Sequence, residues 1–345
     1  MKIPVRVAAN PYDVVVARGA RHDIPALIAQ RAPRARQVVV LVDEAISSQP
    51  WFDIEGVIIP INGGESSKSL AYVEQVANDL SRTGVTRQDI LVAVGGGATT
   101  DFVGLLGALY QRGMPVINVP TTVAGMSDAA IGGKTGVNIA AGKNLLGTFT
   151  QPAGVICDLD TLSTLPPRDA VAGEAEMVKC WLISQRPTSD YLTADFETRL
   201  EHAISLKAQI VAADEREGAT RALLNYGHTL AHAIEAQFFD GDDAPRHGEA
   251  VAVGLVFADM LAASLGRCDV SRVASTREVL RQLGLPVSLP AQLDLEETVG
   301  FMRRDKKAHG GLTFVLTGDH GCEVVAGIDD ALVRGCLDTF MEESR

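Results

Sequence analysis

Short apolar runs alternate with amphipathic segments through the first half of the chain. Five of these runs are β-branched, nearly continuous in apolarity and mostly followed by Gly, Pro or Asp, as buried strands are: residues 37–43, 56–61, 89–97, 115–120 and 154–158. Segments 69–84 and 99–113 have helical spacing, and each ends at a glycine, which is favoured just beyond a helix. Strands buried on both faces and alternating with helices predict a parallel sheet in a doubly wound α/β domain.

From about residue 165 the apolar spacing becomes helical. The helices predicted in this half cover residues 168–183, 198–215, 220–238, 248–266 and 276–284. A short β-like stretch at 312–318 precedes the last helix. The change of pattern predicts a domain boundary, with a Rossmann-like domain over residues 1–166 and an all-α domain over residues 167–345.

Composition and charge narrow the class of protein. The chain has 345 residues, 46% of them hydrophobic and 21% charged, which is enough core material for two globular domains. The longest apolar run is interrupted by Asp259, and the N-terminus has no apolar signal segment, so we expect neither a membrane span nor secretion. Five scattered cysteines without CxxC spacing favour reduced thiols and a cytoplasmic location. A formal net charge of −12 argues against nucleic acid or an anionic membrane as a partner.

A glycine-rich turn follows one of the predicted strands. The sequence "VGGGATTD" at residues 94–101 ends a strand and opens a helix, whose N-terminal N–H groups favour a phosphate. Asp43 ends the strand "VVLVD", where a carboxylate can bind the ribose hydroxyls of NAD and repel the 2′-phosphate of NADP. The two features together predict NAD rather than a turn without a ligand.

Two histidines four residues apart suggest a metal site. His228 and His232 face the same side of a helix, but no Glu follows His228, so the HExxH motif of metalloproteases is excluded. Glu176 and His247 are further candidates, and one Glu with two His leaves an open position suited to a catalytic divalent ion. Spacing alone leaves open which two of the three histidines bind.

Cationic residues collect in irregular, Gly-rich sequence, against the acidic background of the chain. Each charge-assisted contact to an anion is worth roughly 1.5–3 kcal/mol, so several together favour a small substrate with more than one negative group. They are Arg112, Lys134, Lys143, Lys179, Lys207, Arg221, Lys306 and Lys307.

Long motifs in order resemble the 3-dehydroquinate synthase family of sugar phosphate cyclases over about residues 37–320. The motifs include "GGGATTDFVG", "PTTVAGMSDAAIGGKTGVN", "AGEAEMVK", "ADEREGATRALLNYGHTLAHAIEA" and "RHGEAVAVG". The resemblance implies a Rossmann-like NAD-binding domain, an α-helical metal- and substrate-binding domain, and a homodimer. It also implies that Glu176, His228 and His247 bind Zn²⁺ (or Co²⁺), so that one histidine of the pair is a ligand.

The resemblance implies roles for the remaining candidates as well. The substrate phosphate would contact His232, Asn144, Lys307 and an Arg112 from the partner subunit, and the substrate carboxylate would contact Lys134 and Arg221, with Asn225 nearby. The catalytic residues around the reacting hydroxyls would be Asp128, Lys179 and Lys207, together with His232. The residues that would hold NAD are Asp43, Glu65, Lys68, Gly96, Gly97, Asp101, Thr121, Thr122 and Lys143.

The implied reaction converts 3-deoxy-D-arabino-heptulosonate 7-phosphate to 3-dehydroquinate and phosphate, in the shikimate pathway of aromatic amino-acid biosynthesis. It comprises transient oxidation by NAD beside the metal, β-elimination of phosphate, reduction, ring opening and an intramolecular aldol. The alternatives are an aminodehydroquinate synthase or another cyclase of secondary metabolism, and an iron- or zinc-type polyol dehydrogenase. One departure from the family pattern is Glu174, where Leu is common, which is expected to add a second carboxylate near the metal ligand Glu176.

Overall fold

The chain forms two compact units. The computed structural model describes residues 1–140, 142–238, 244–305 and 311–343. One unit comprises Met1–Ala170 with Ile204–Arg216, and the other comprises Val171–Ala203 with Glu217–Arg345. The helix Phe196–Ala213 is therefore divided, because its second half belongs to the first unit. No pattern in the sequence indicates this division. The domain boundary at residue 166 stays a prediction.

The first unit is built on a seven-stranded sheet whose strand order is β1-β2-β9-β6-β5-β3-β4. All neighbouring strands are parallel except β1 and β2, and β7 with β8 forms a separate antiparallel hairpin. The strands are β1 Lys2–Val5, β2 Tyr12–Ala17, β3 Val38–Asp43, β4 Val57–Ile61, β5 Ile90–Gly95, β6 Val116–Pro120, β7 Lys134–Ile139, β8 Gly142–Phe149 and β9 Gly154–Asp158. Three helices complete this part of the chain, namely α1 Ile24–Arg31, α2 Leu70–Arg82 and α3 Gly97–Leu109.

The central strands are buried on both faces, as their sequence predicts. Val39 and Leu41 of β3 pack into one hydrophobic cluster with α2 and α3, while Val40 and Val42 pack into a second cluster on the opposite face. Successive side chains of a strand point to opposite faces, so both faces of the sheet are covered. The predicted doubly wound α/β domain is confirmed.

The second unit is mainly helical. Its helices, including two that are shared with the first unit, are α4 Pro167–Ile183, α5 Thr188–Thr193, α6 Phe196–Ala213, α7 His228–Gln237, α8 His247–Ser264, α9 Val270–Gln282, α10 Leu295–Asp305 and α11 Asp330–Glu343. β10 Leu312–Gly318 and β11 Gly321–Ile328 form an antiparallel hairpin, which adds a small sheet to this unit. The first of these strands was predicted as a β-like stretch, and the second was not.

The single helix predicted over residues 220–238 is wrong. Residues Thr220–Asn225 form a short 3₁₀ turn, and α7 begins at His228. Between them Gly227 has φ 79°, a left-handed conformation that glycine adopts without strain. The break places His228 at the first position of a helix.

Helix α8 is long and apolar enough to cross a membrane by length and composition, but 72% of that window is buried inside the protein. Within it Asp259 is fully buried. The Asp259 carboxylate accepts hydrogen bonds from the Tyr226 hydroxyl, from Arg272 Nε at 3.0 Å and from the Thr276 hydroxyl at 2.6 Å. A buried charge with this many partners is typical of a core helix in a globular unit.

We predict that Asp259→Leu strongly destabilises the protein, because it leaves the Arg272 guanidinium and the Tyr226 hydroxyl without their buried acceptor. The expected loss in the free energy of unfolding is about 3–5 kcal/mol, the cost of removing one partner of a buried ion pair. Thr276→Val is the matched control, since it deletes a single hydrogen bond worth about 1 kcal/mol. Urea unfolding followed by circular dichroism measures both; equal losses would contradict the central place of Asp259.

Candidate functional site

Three side chains on three helices of the second unit converge on one point. Glu176 lies in the middle of α4, while His228 and His247 are the first residues of α7 and α8. One ligand atom from each lies within 4.8 Å of the others. Both histidine Nε2 atoms face Glu176 Oε1, at 3.5 Å for His228 and 3.1 Å for His247. These are the three residues that the resemblance implies as metal ligands.

The contacts of His228 indicate that a cation belongs between it and Glu176. His228 Nδ1 lies 3.1 Å from the Tyr226 carbonyl oxygen, which only accepts, so Nδ1 carries the proton. Burial, reinforced by the positive charge of Lys179, lowers the pKa of His228 to about 4. The ring is therefore neutral, and the lone pair of Nε2 points at a carboxylate oxygen. Two acceptors facing each other in a buried site repel unless a cation lies between them.

The spacing of the ligand atoms also fits a metal ion. Zinc bonds to nitrogen and oxygen are near 2.1 Å, so two ligand atoms of a tetrahedral site lie about 3.4 Å apart. The distances from Glu176 Oε1 to the two Nε2 atoms, 3.1 and 3.5 Å, bracket that value. Burial would raise the pKa of Glu176, but Lys179 and the histidines hold it well below its ordinary value, so the carboxylate is ionised and able to bind.

Backbone contacts fix the positions of the three ligands. A Cβ atom on Gly248 would lie 1.7 Å from the carbonyl oxygen of Ala172, one turn before Glu176 on α4. A Cβ atom on Gly254 would lie 2.0 Å from the carbonyl oxygen of Gly227, which precedes His228. Helix α8 therefore touches the main chain at both other ligand-bearing segments, and side chains at 248 or 254 would push them apart.

His232 lies one turn beyond His228, but it is not part of the cluster of ligand atoms found among the described residues. Its ring lies edge-on to His228, with the centroids 5.4 Å apart, and the residue is exposed. The geometry is consistent with the division of the pair that the resemblance implies, in which His232 contacts substrate.

The expectation for Glu174 is wrong. Its carboxylate accepts hydrogen bonds from the Tyr191 hydroxyl and from Arg199 Nη2, the latter at 3.0 Å, and the Arg199 guanidinium lies over the Tyr191 ring. Residues two apart on a helix point in different directions, so Glu174 faces away from the cluster around Glu176. It forms a separate ion pair rather than a second carboxylate at the metal site.

The predicted NAD residues of the first unit meet at one edge of the sheet. Asp43 ends β3, Gly96 and Gly97 follow β5, and Thr121 and Thr122 follow β6. These three strands are neighbours, and the carboxyl ends of parallel strands are where doubly wound folds bind dinucleotides. Gly97 opens α3, which directs the unpaired N–H groups of a helix N-terminus to this edge.

A second group of predicted residues is linked by hydrogen bonds beside α3. Lys68, which is buried, donates to Asp101 Oδ2 at 2.7 Å and to Asn144 Oδ1 at 2.5 Å. Asn138 of β7 donates to Glu65 Oε1 at 2.8 Å and accepts from the Asn144 backbone N–H at 2.8 Å. The loop after β4 and the β7–β8 hairpin are thereby held together.

Asp128 and Lys207 form an ion pair within the first unit. Lys207 Nζ lies 2.7 Å from Asp128 Oδ1 and 2.6 Å from the Asp128 carbonyl oxygen. Lys207 is on the half of α6 that belongs to this unit, and it is buried. The other predicted catalytic lysine, Lys179, is buried in the second unit and paired with Glu176 Oε2.

The remaining anion-binding candidates lie in turns and at strand ends. Arg221 is buried in the 3₁₀ turn before α7, and Asn225 at the end of that turn donates to Glu217 Oε1 at 3.1 Å. Arg112 is exposed with φ 66°, beyond the end of α3. Lys134 begins β7 and Lys143 lies in β8, whereas Lys306 and Lys307 lie outside the described residues.

Polar side chains that contact predicted site residues and that sequence reasoning missed include, among the described residues, Asn138, Glu217 and Glu235. One of them had a pattern that the sequence shows: Glu235 follows His228 by seven residues and so shares its helix face. Asn138 lies where the pairing of β7 with β8 is irregular, so strand alternation does not predict its direction. Glu217 had no such pattern, because it lies in a loop.

The fold is that of the sugar phosphate cyclases, with a Rossmann-like unit that carries a dinucleotide-type edge and a helical unit that carries a Glu–His–His cluster. The solved structure of the 2-epi-5-epi-valiolone synthase from Streptomyces hygroscopicus subsp. jinggangensis 5008, with NAD⁺ and Zn²⁺ bound, matches with a TM-score of 0.81 and 27% identity over 96% of this chain and 97% of that chain.

Sequence comparison specifies the family. The 3-dehydroquinate synthase N-terminal domain matches residues 58–172 and the C-terminal domain matches residues 173–308. A putative aminodehydroquinate synthase of Amycolatopsis mediterranei (strain S699) is 44% identical over 99% of this chain and 95% of its own length. The 3-dehydroquinate synthase of Thermobifida fusca (strain YX) is 41% identical over 96% of this chain and 94% of its own length. The chain belongs to the 3-dehydroquinate synthase family.

We predict that His228→Ala abolishes the retention of a divalent metal, because it removes one of the three convergent ligand atoms. His232→Ala should retain the metal and weaken only substrate binding. Metal content after dialysis, measured by mass spectrometry, distinguishes the two variants. Equal loss of the ion from both would show that the pair binds metal together.

We also predict that Zn²⁺ binding to metal-free protein releases about one proton per site near pH 8. Partial burial opposes protonation of His247, but hydrogen bonds to Glu176 and Glu235 outweigh this effect and raise the pKa of His247 to about 10. The free ring therefore carries a proton that the metal must displace. The metal affinity should therefore rise with pH up to about 10. Calorimetry in buffers of different ionisation enthalpy measures the proton count; zero release would contradict a charged His247.

Proposed function

We propose that this protein is a 3-dehydroquinate synthase. It would convert 3-deoxy-D-arabino-heptulosonate 7-phosphate to 3-dehydroquinate and phosphate, as a carbocycle-forming phosphorus–oxygen lyase. The observation that carries the proposal is the burial of cations in an acidic chain. Among the residues that the structure describes, the four buried Lys and Arg side chains are all predicted site residues: Lys68, Lys179, Lys207 and Arg221.

Buried cations are costly unless function or pairing compensates them. Each of Lys68, Lys179 and Lys207 pairs with a carboxylate, which holds the amine in place without a substrate. Such fixed charges stabilise an anionic substrate without reorganisation. A polyol dehydrogenase acts on a neutral substrate and has no use for a carboxylate-binding pair such as Arg221 and Lys134, so the buried Arg221 favours the cyclase.

The expected cofactors are NAD and a divalent metal, as in the valiolone synthase of the same fold. Asp43 would accept hydrogen bonds from ribose hydroxyls, and the N-terminus of α3 would bind the diphosphate. Glu176, His228 and His247 would hold Zn²⁺ or Co²⁺. When bound, the metal would polarise a substrate hydroxyl and the nicotinamide would accept and return a hydride.

The protein's own side chains would then hold charge and move protons. Lys179, next to Glu176, and the Lys207–Asp128 pair would hydrogen-bond the reacting hydroxyls. Arg221 and Lys134 would bind the carboxylate, with Asn225 nearby, and His232, Asn144 and Lys307 would bind the phosphate. Holding both anionic groups fixes the intermediate for elimination and ring closure.

The expected homodimer and cytoplasmic location are part of the same proposal. Arg112, which the resemblance assigns to the partner's active site, is exposed and follows Gln111, also at positive φ. Two successive non-glycine residues at positive φ are uncommon, and such strained backbone is often found at functional segments. The strain and the exposure of Arg112 support a functional role for this residue.

A second candidate is the amino analogue of the reaction. It is favoured by the 44% identity to a putative aminodehydroquinate synthase over nearly the whole chain. The amino substrate retains both anionic groups, so the same cations would serve it.

We predict stoichiometric phosphate release from 3-deoxy-D-arabino-heptulosonate 7-phosphate with catalytic NAD⁺ and Zn²⁺, and no accumulation of NADH. Phosphate is measured colorimetrically, and NADH is measured by its absorbance in the same reaction. Arg221→Lys is the matched variant: it keeps the charge but loses bidentate carboxylate binding, so KM should rise about 10–100-fold.

The competing functions give different results in that assay. A higher kcat/KM with the amino substrate would assign the amino variant. Net NADH production from glycerol or another polyol, without phosphate release, would contradict a cyclase.

A further inference from the structure

Glu235 contacts one of the proposed metal ligands and has no assigned role. It lies on α7, two turns after His228, and its side chain is only 13% exposed. Its Oε2 atom is 3.3 Å from His247 Nδ1, while His247 Nε2 faces Glu176. Glu235 therefore touches the ring atom that points away from the proposed metal.

The two histidines are held in different ways. His228 is almost buried, and its Nδ1 proton is held by a backbone carbonyl that side-chain substitution cannot remove. The His247 side chain is 43% exposed and stands at the first residue of α8, where packing restrains it less. The orientation of His247 therefore depends on a side chain.

We propose that Glu235 is a positioning residue for the metal centre. By accepting the Nδ1 proton of His247, it selects the tautomer whose Nε2 lone pair is available to the metal, and it fixes the plane of the ring. Partners of this kind orient ligands and increase their basicity. The inference rests on the proposed metal centre, and it adds a residue that binds neither metal nor substrate.

The arrangement makes α7 the organising element of the site. Its first residue would bind the metal, its second turn presents His232, and Glu235 on the following turn orients the ligand from α8. Positions 228, 232 and 235 share one helix face at spacings of four and three. One helix thus couples metal binding and substrate binding through its rigid backbone.

The test compares three variants by metal affinity, measured by competition with a chromophoric chelator. Glu235→Leu removes the acceptor and should weaken Zn²⁺ binding about 10–100-fold, the usual effect of losing an orienting partner. Glu235→Gln keeps an amide oxygen that can accept from Nδ1, so a large part of the affinity should be recovered.

Glu174→Gln is the matched control, because it neutralises a mostly buried carboxylate two residues from Glu176 that contacts Arg199 rather than a histidine. Its metal affinity should equal that of the unaltered protein. The absorption bands of bound Co²⁺ provide a second readout: they should shift in Glu235→Leu and remain unchanged in Glu174→Gln. Circular dichroism of the metal-free variants checks that each is folded.

Tight metal binding by Glu235→Leu, with an unshifted Co²⁺ spectrum, would overturn the positioning role and leave the proposed function intact. An equal loss in Glu174→Gln would also overturn it, since general charge would then explain the effect. Failure of the proposed function appears separately, as unaltered protein that binds no metal or releases no phosphate.

Discussion

The site depends on two hydrogen-bond acceptors that face each other. The neutral Nε2 of His228 points at the ionised Glu176, and the Tyr226 carbonyl at the opposite side of the ring prevents the proton from moving to relieve the contact. Tyr226 itself is anchored by the buried carboxylate of Asp259. A network in the helical core thus holds the proton of the buried His228 on Nδ1 and leaves Nε2 as an acceptor beside Glu176, an arrangement that favours a cation between them.

Much of the fold could be predicted because the apolar pattern follows from burial. The central strands of the first unit are buried on both faces, so their sequences are apolar throughout. All five predicted strands are present within one or two residues, including the largely exposed edge strand β4. The strands β1 and β2, at one end of the sheet, and the hairpin β7–β8 were missed. They alternate buried and exposed positions or are largely exposed, so they lack the continuous apolar signature.

The roles of the site residues were predicted from the family motifs more than from spacing and residue chemistry. Spacing placed His228 and His232 on one helix face but could not show which of them binds the metal. That choice depends on where the helix begins, and the break at Gly227 leaves no trace in the apolar periodicity. Glu174 was misassigned because its orientation depends on Arg199 and Tyr191, which are distant along the chain. Side-chain direction is a tertiary property, and a single sequence gives residue types without their partners.

Helix α8 approaches the main chain at Ala172 and Gly227 closely through Gly248 and Gly254, and this affects metal binding. Helix α8 lies too close to Ala172 and Gly227 for a side chain at 248 or 254, so main-chain packing sets the separation of the three proposed ligands. Metal binding at such a preorganised site would require little loss of chain entropy. The two glycines would thereby contribute to metal affinity by ordering the ligands before an ion binds.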